Sequence, residues 1–204
     1  MSEIKYGLIS KIDILCIEAT LNYLMSDFPN ESLNIIEIGV YDGQTSRGIR
    51  DYIFSKRRGI CYHAIDNEKD KPILRPFEAC NLVIGNSSEV YNRFEDNSQH
   101  FVFVDGLHTF PQVIADFFCY ASKVCPGGYM CFHDTGKHLD PLSGWQGVGS
   151  KDDPDMCLGG VRKALRTIGL LNNQLPGWKL IFDEADVEDT GGGVCIFKKI
   201  KKWD

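Results

Sequence analysis

Four side chains able to carry protons or hold a metal ion fall in two short clusters. Asp105 closes the apolar run that starts at Phe101, and His108 follows it, whereas His133 and Asp134 close the run that starts at Gly128. If these runs are neighbouring strands, their ends lie about 5 Å apart and the four side chains converge. Carboxylates with water suit Mg²⁺ or Mn²⁺, and added imidazoles admit Fe, Zn or Ni. Asp105, Asp134 and His133 are therefore the candidate metal ligands, with the two aspartates as the preferred pair. Successive strand residues face opposite ways, so His133 joins Asp134 only if the backbone turns between them. Without a metal, Asp105-Gly106 reads as a turn and His108 as the residue that orders it. An imidazole titrating near neutrality can also take a proton from a hydroxyl group. His108 and His133, beside Asp105, are the candidate catalytic residues.

A second chemistry belongs to the stretch from Asn34 to Ser46. An apolar run enters Gly39-Val40-Tyr41-Asp42-Gly43, and a helical pattern begins at once. Glycine lets the backbone turn tightly beside a ligand, and the new helix presents unpaired N–H groups there. Asp66 ends the next apolar run, where a carboxylate can accept hydrogen bonds from both ribose hydroxyls of a nucleoside. The spacing Gly39-x-x-x-Gly43 is not the G-x-G-x-x-G that seats a pyrophosphate. Glu37, just ahead of the turn, would repel phosphate but suits a cationic amino group. S-adenosylmethionine has a ribose, an ammonium and a sulfonium, and no phosphate. A plain structural turn is the competing reading, and Asp66 in its βαβ setting weighs against it.

The elements that would position these residues alternate. Strand-like runs cover 33–38, 60–66, 81–84, 101–105 and 128–133, with helical stretches near 45–57, 72–79, 87–95 and 109–124. Nearly continuous apolar strands between helices predict an α/β fold with a mostly parallel sheet covered on both faces. A further helix spans about 158–173. The chain then closes with runs at 178–182 and 193–199, joined too briefly for a crossover and hence antiparallel. Residues 1–30 form an N-terminal helical segment. One of its two apolar faces covers the core, while the other faces a neighbouring helix or a partner subunit, which leaves a homo-oligomer open. A single domain over 1–204 is expected.

Composition narrows the function classes. The 204 residues carry a formal charge of −6, which argues against a nucleic-acid partner. No apolar run reaches the ~20 residues of a membrane span. The first residues lack the pattern of a signal peptide, so a cytoplasmic location is expected. Eight cysteines are scattered without a C-x-x-C pair, and several sit inside apolar runs, so they read as small buried side chains.

Taken in order, Glu37 to Ser46, Asp66, Ile84-Gly85-Asn86-Ser87, Phe103 to Phe110, Asp116, Pro126-Gly127-Gly128 and His133-Asp134 resemble the class I S-adenosylmethionine-dependent methyltransferases, and within them methyltransferase family 24. That group is related to macrolide-sugar O-methyltransferases and cephalosporin hydroxylase-like proteins. The resemblance implies a Rossmann-like three-layer sandwich whose seven-stranded sheet has its last strand antiparallel. It implies S-adenosylmethionine as cofactor, with Gly39, Gly43 and Thr45 along its methionine part and Glu37 at its amino group. Asp66 would take the ribose hydroxyls, Asn86 and Ser87 the adenine edge, and Asp105 would border the site. Tyr41 replaces the middle glycine of the commoner E-x-G-x-G-x-G form, where it would shape or cover the pocket. Relatives hold a divalent metal (Mg or Mn) near Asp105 and Asp134, often with an acid where this chain has His133.

Residues 135–157 have no regular pattern, and Trp145 between glycines reads as part of a lid loop over a small-molecule acceptor. Three functions stay open on the residues alone. They are methylation of a hydroxylated small molecule such as a sugar or secondary metabolite, metal-dependent hydroxylation on the same scaffold, and nucleoside binding without catalysis.

Overall fold

A computed structural model describes residues 9–56, 58–67, 80–136, 160–184 and 192–201. The chain begins with α1 (Lys11–Asp27), followed by β1 (Leu33–Ile38), α2 (Gln44–Ser55), β2 (Ile60–Asp66) and β3 (Cys80–Ile84). A short α3 (Ser87–Val90) leads to β4 (Gln99–Val104), α4 (Phe110–Ala121), β5 (Val124–Phe132), α5 (Gly160–Thr167), β6 (Trp178–Glu184) and β7 (Val194–Lys199). The seven strands form one sheet in the order β3-β2-β1-β4-β5-β7-β6. β7 runs antiparallel to both of its neighbours, and the other described pairs are parallel. The expected Rossmann-like architecture is present. The stretch near 72–79 and the loop from 137 onward, including Trp145, lie outside the described residues.

Alternation along the strands separates two cores. Ile36, Ile38, Val102, Val104, Met130 and Phe132 pack with Val113 and Phe117 of α4 and Ala164 and Leu165 of α5. Ile35, Phe101, Phe103 and Cys131 pack on the opposite face with Ile17, Leu21 and Leu24 of α1 and Ile49 and Ile53 of α2. The two apolar sets of α1 are thereby told apart. Ile17, Leu21 and Leu24 are buried, whereas Ile12, Leu15 and Tyr23 are exposed. Ser10 caps the helix, its side chain accepting from Asp13 N at 3.2 Å.

Sheet polarity places the site. The carboxyl ends of β1, β2, β4 and β5 lie side by side, so Ile38, Asp66, Val104 and Phe132 and the turns after them border one region. Crevices at such strand ends are where open α/β sheets take ligands. Among the described residues, no helix is long and apolar enough to cross a membrane.

Candidate active site

The turn after β1 is built on left-handed backbone. Gly39 (φ +80°), Tyr41 (φ +47°) and Gly43 (φ +69°) all adopt it, and Gly43 is the N-cap of α2. At Gly39 a Cβ would stand 2.2 Å from Asp105 O and 2.6 Å from Gly106 Cα, so the two loops touch through backbone alone. Tyr41 keeps the backbone form that glycine adopts readily, at a cost of roughly 1–2 kcal/mol for a side chain. Asp66 Oδ2 accepts from Val40 N at 3.1 Å and from Tyr41 N at 3.3 Å, tying the turn to the end of β2.

A cavity of about 780 Å³ opens at these strand ends. Glu37, Gly39, Tyr41, Thr45, Asp66, Asn86 and Ser87 line it, together with Asp105, His108, His133 and Asp134. Every candidate site residue but one is thus on one wall or another. Gly43 is not among the lining residues; it shapes the turn from behind. Asn86 precedes α3, and Ser87 opens it.

Glu37 is buried and accepts hydrogen bonds from the hydroxyls of Ser46 and Tyr62, the latter at 2.9 Å. Burial pushes its carboxyl up to about 8 despite those two donors. The cluster of Asp105, His108, His133 and Asp134 is more strongly charged. Asp134 adopts φ +53°, the backbone turn that lets it share a site with His133. His108 Nδ1 lies 3.1 Å from Asp134 Oδ2, and its Nε2 lies 3.4 Å from Asp105 Oδ1 without an aligned hydrogen bond. His133 Nδ1 lies 3.0 Å from Asp105 Oδ1. Burial would raise Asp105, but the two imidazoles outweigh it and hold the carboxyl at about 2. Burial disfavours charge on His108, yet Asp105 and Asp134 raise it above the usual imidazole range. For His133 the same contest ends far higher, because Asp105, Asp13 and Asp134 all face it.

Asp13 is the site neighbour that sequence reasoning missed. It is fully buried on α1, where its Oδ2 lies 3.7 Å from His133 Nε2 and accepts from Ser10 Oγ at 2.6 Å and Gly193 N at 3.2 Å. A carboxylate in the first turn of an amphipathic helix looks solvated until the fold covers it. Arg162 of α5 was missed too. It forms a two-pronged pair with Asp183 at 2.8 and 2.9 Å and donates to Thr135 O at 3.1 Å, anchoring the segment after Asp134. Asp105, His108 and Asp134 each offer a ligand atom within 4.8 Å of the others, so these three could hold a metal ion. His133 stands outside that group, engaged with Asp105 and Asp13.

The strand order, the glycine turn and the cavity at the strand ends define a class I methyltransferase fold. Residues 36–135 match the Methyltransf_24 family, described as a methyltransferase domain. The match covers 100 of the 204 residues, and the chain carries an S-adenosylmethionine-dependent methyltransferase domain there. No curated protein is matched by its sequence. Among solved structures it is similar to a Staphylococcus aureus protein assigned as a caffeoyl-CoA O-methyltransferase, with 14% identity, a TM-score of 0.64, and coverage of 95% of this chain and 86% of that one. It is also similar to the plantazolicin methyltransferase BamL, in complex with a triazolic desmethylPZN analog and SAH, with 15% identity, a TM-score of 0.65, and coverage of 94% and 86%. The MycE methyltransferase of the mycinamycin biosynthetic pathway, in complex with Mg, SAH and mycinamycin VI, matches with 18% identity and a TM-score of 0.55. That match covers 88% of this chain and 48% of MycE, so this chain spans about half its length.

Proposed function

We propose that the protein transfers the methyl group of S-adenosylmethionine to a hydroxyl group of a small molecule such as a sugar or secondary metabolite. The observation that carries this reading is the continuity of one cavity, with Glu37, Asp66, Asn86 and Ser87 along it and His108 between two carboxylates on the same wall. The sulfonium supplies an already activated methyl group, so the protein's main task is alignment. Glu37 receives the cofactor's amino group, Asp66 its ribose hydroxyls, and Asn86 with Ser87 the base end. Gly39, Tyr41 and Thr45 border the methionine part.

His108 is the proton acceptor in this reading. Its Nδ1 lies 3.1 Å from Asp134 Oδ2 and its Nε2 3.4 Å from Asp105 Oδ1, so a proton taken by either nitrogen is stabilised by a facing carboxylate. His133 sits between Asp105 and Asp13, where its charge balances the acidic cluster. A second reading is favoured by the three-residue grouping, in which Asp105, His108 and Asp134 hold Mg²⁺ or Mn²⁺. Two carboxylates suit such an ion, the imidazole fits it less well, and MycE contains Mg. Such an ion would supply Lewis-acid polarisation of the acceptor oxygen.

Label transfer from methyl-labelled S-adenosylmethionine to a panel of hydroxylated metabolites tests the proposal. Activity that survives a chelator and disappears in His108→Ala supports the base reading. Activity lost to chelator and restored by Mg²⁺ or Mn²⁺ supports the metal reading. Labelling of amines only, with no hydroxyl compound modified, overturns O-methylation.

A further inference from the structure

The base end of the cavity holds a carboxylate that nothing above employs. Asp116 of α4 is 1% exposed and lines the cavity with Ser87 and Gln112. Its Oδ1 accepts two hydrogen bonds, from Ser87 Oγ and from Gln112 Nε2, the latter at 2.9 Å. Gln112 Nε2 also donates to Ser87 Oγ at 3.0 Å, and the Tyr120 hydroxyl donates to Ser87 O at 3.0 Å. The Ser87 hydroxyl is thereby committed twice, its proton to Asp116 and a lone pair to Gln112. Asp116 Oδ2 is buried and has no hydrogen-bond partner among the described residues. Buried polar atoms are seldom left unpaired, and one in a cavity wall asks for a donor from the ligand.

We propose that Asp116 Oδ2 accepts a hydrogen bond from the exocyclic amino group of the cofactor's adenine, which makes Asp116 the residue that selects 6-amino over 6-oxo purines. The inference rests on the S-adenosylmethionine reading given above. Burial raises Asp116 above the usual carboxylate range, while the donors from Ser87 and Gln112 favour its ionised form. In that form, with both donors directed at Oδ1, Oδ2 presents only lone pairs. A 6-amino group offers a hydrogen to them, whereas a 6-oxo group sets its own lone pairs against them. Sites built to hydrogen-bond a group discriminate strongly against analogues that cannot answer. Ser87 cannot make this distinction through its hydroxyl, because the proton is already given to Asp116.

The test is calorimetric binding of S-adenosylhomocysteine and of S-inosylhomocysteine, its 6-oxo counterpart, to wild-type protein and to Asp116→Asn. Wild type is expected to prefer the 6-amino ligand by at least about tenfold. In Asp116→Asn the donors from Ser87 and Gln112 hold the amide oxygen, so the amide NH₂ takes the place of Oδ2. The preference should then shrink by an order of magnitude or reverse toward the 6-oxo ligand. Because the readout is a ratio of two ligands on one protein, loss of folded material does not change it. An Asn variant that keeps the full wild-type ratio overturns the proposal. A wild-type ratio near one overturns it without any variant. If wild type binds neither ligand, the S-adenosylmethionine reading itself has failed, a result distinct from binding without discrimination.

Discussion

Glu37 sets a proton equilibrium at the centre of the site. Burial raises its carboxyl to about 8, whereas an unfolded glutamate titrates near ~4.3. Between those values the folded protein binds a proton that the unfolded chain has released. The stabilising contribution is complete below the unfolded pKa and is lost as pH rises through about 8. Glu37→Gln should therefore flatten the decline of stability over that window, as read from urea midpoints at a series of pH values. If Glu37 receives the cationic amino group, S-adenosylhomocysteine binding near neutral pH should release close to one proton in wild type and none through this group in Glu37→Gln. The dependence of calorimetric heat on buffer ionisation checks this. In the proposed reading Asp66 has two roles, since the carboxylate that receives the ribose also holds the turn at Val40 and Tyr41 through Oδ2. Asp66→Ala should cost roughly 1.5–3 kcal/mol of ligand binding, and it should also lower the melting temperature. Side-chain types and their places on strand ends made Glu37, Asp66 and Asp105 legible in the sequence. Asp13 and the unpaired oxygen of Asp116 were not, because burial and partner choice arise only when distant helices meet the sheet.

At the scale of elements, backbone contacts rather than side chains bring the 105–108 loop to the glycine turn after β1. Gly39 meets Asp105 from one side. From the other, Gly160 at the start of α5 is so close that a Cβ would stand 2.2 Å from His108 O and 2.4 Å from Phe110 N. Gly160→Ala should push the 105–110 loop, costing about 1–3 kcal/mol of stability, and should lower the methyl-transfer rate of the protein that remains folded. Parallel melting and rate measurements check both effects. Strand periodicity located all seven strands to within a few residues, since apolar runs report directly on a buried sheet. Helix ends were less legible. The pattern from 87 to 95 resolves into α3, a single 3₁₀ turn at Tyr91–Arg93 and a bend. The helix expected over 158–173 ends at Thr167, and Gly169 follows in the left-handed region. The left-handed turn at Asp134 was stated only as a condition for His133 and Asp134 to converge, because asparagine and aspartate adopt it without a distinctive neighbouring signal.

Across the whole molecule, the ligand end of the sheet and the opposite end have different tasks. The cavity occupies the carboxyl ends, where charged groups crowd together. At the other end, Lys199 of β7 is fully buried beside the start of β5. Its Nζ donates to Ala121 O at 2.9 Å, Val124 O at 2.6 Å and Asn97 Oδ1 at 3.2 Å. Ala121 ends α4, so the ammonium satisfies carbonyls at the negative end of that helix. The last strand of the chain is thereby fastened to the α4–β5 junction. Lys199→Met keeps much of the volume but leaves those carbonyls buried without a donor, each worth about 1–3 kcal/mol. The variant no longer desolvates an ammonium, which offsets part of that loss. A net destabilisation of about 2–4 kcal/mol is expected, with the melting temperature falling by roughly 2–4 °C per kcal/mol for a chain of this size. Affinity for S-adenosylhomocysteine, measured well below the melting transition, should stay at the wild-type value because none of these contacts reaches the cavity. A fall in affinity alongside stability would show that the two ends of the sheet are coupled, with strain at the β7 anchor transmitted along β5 to His133 and Asp134.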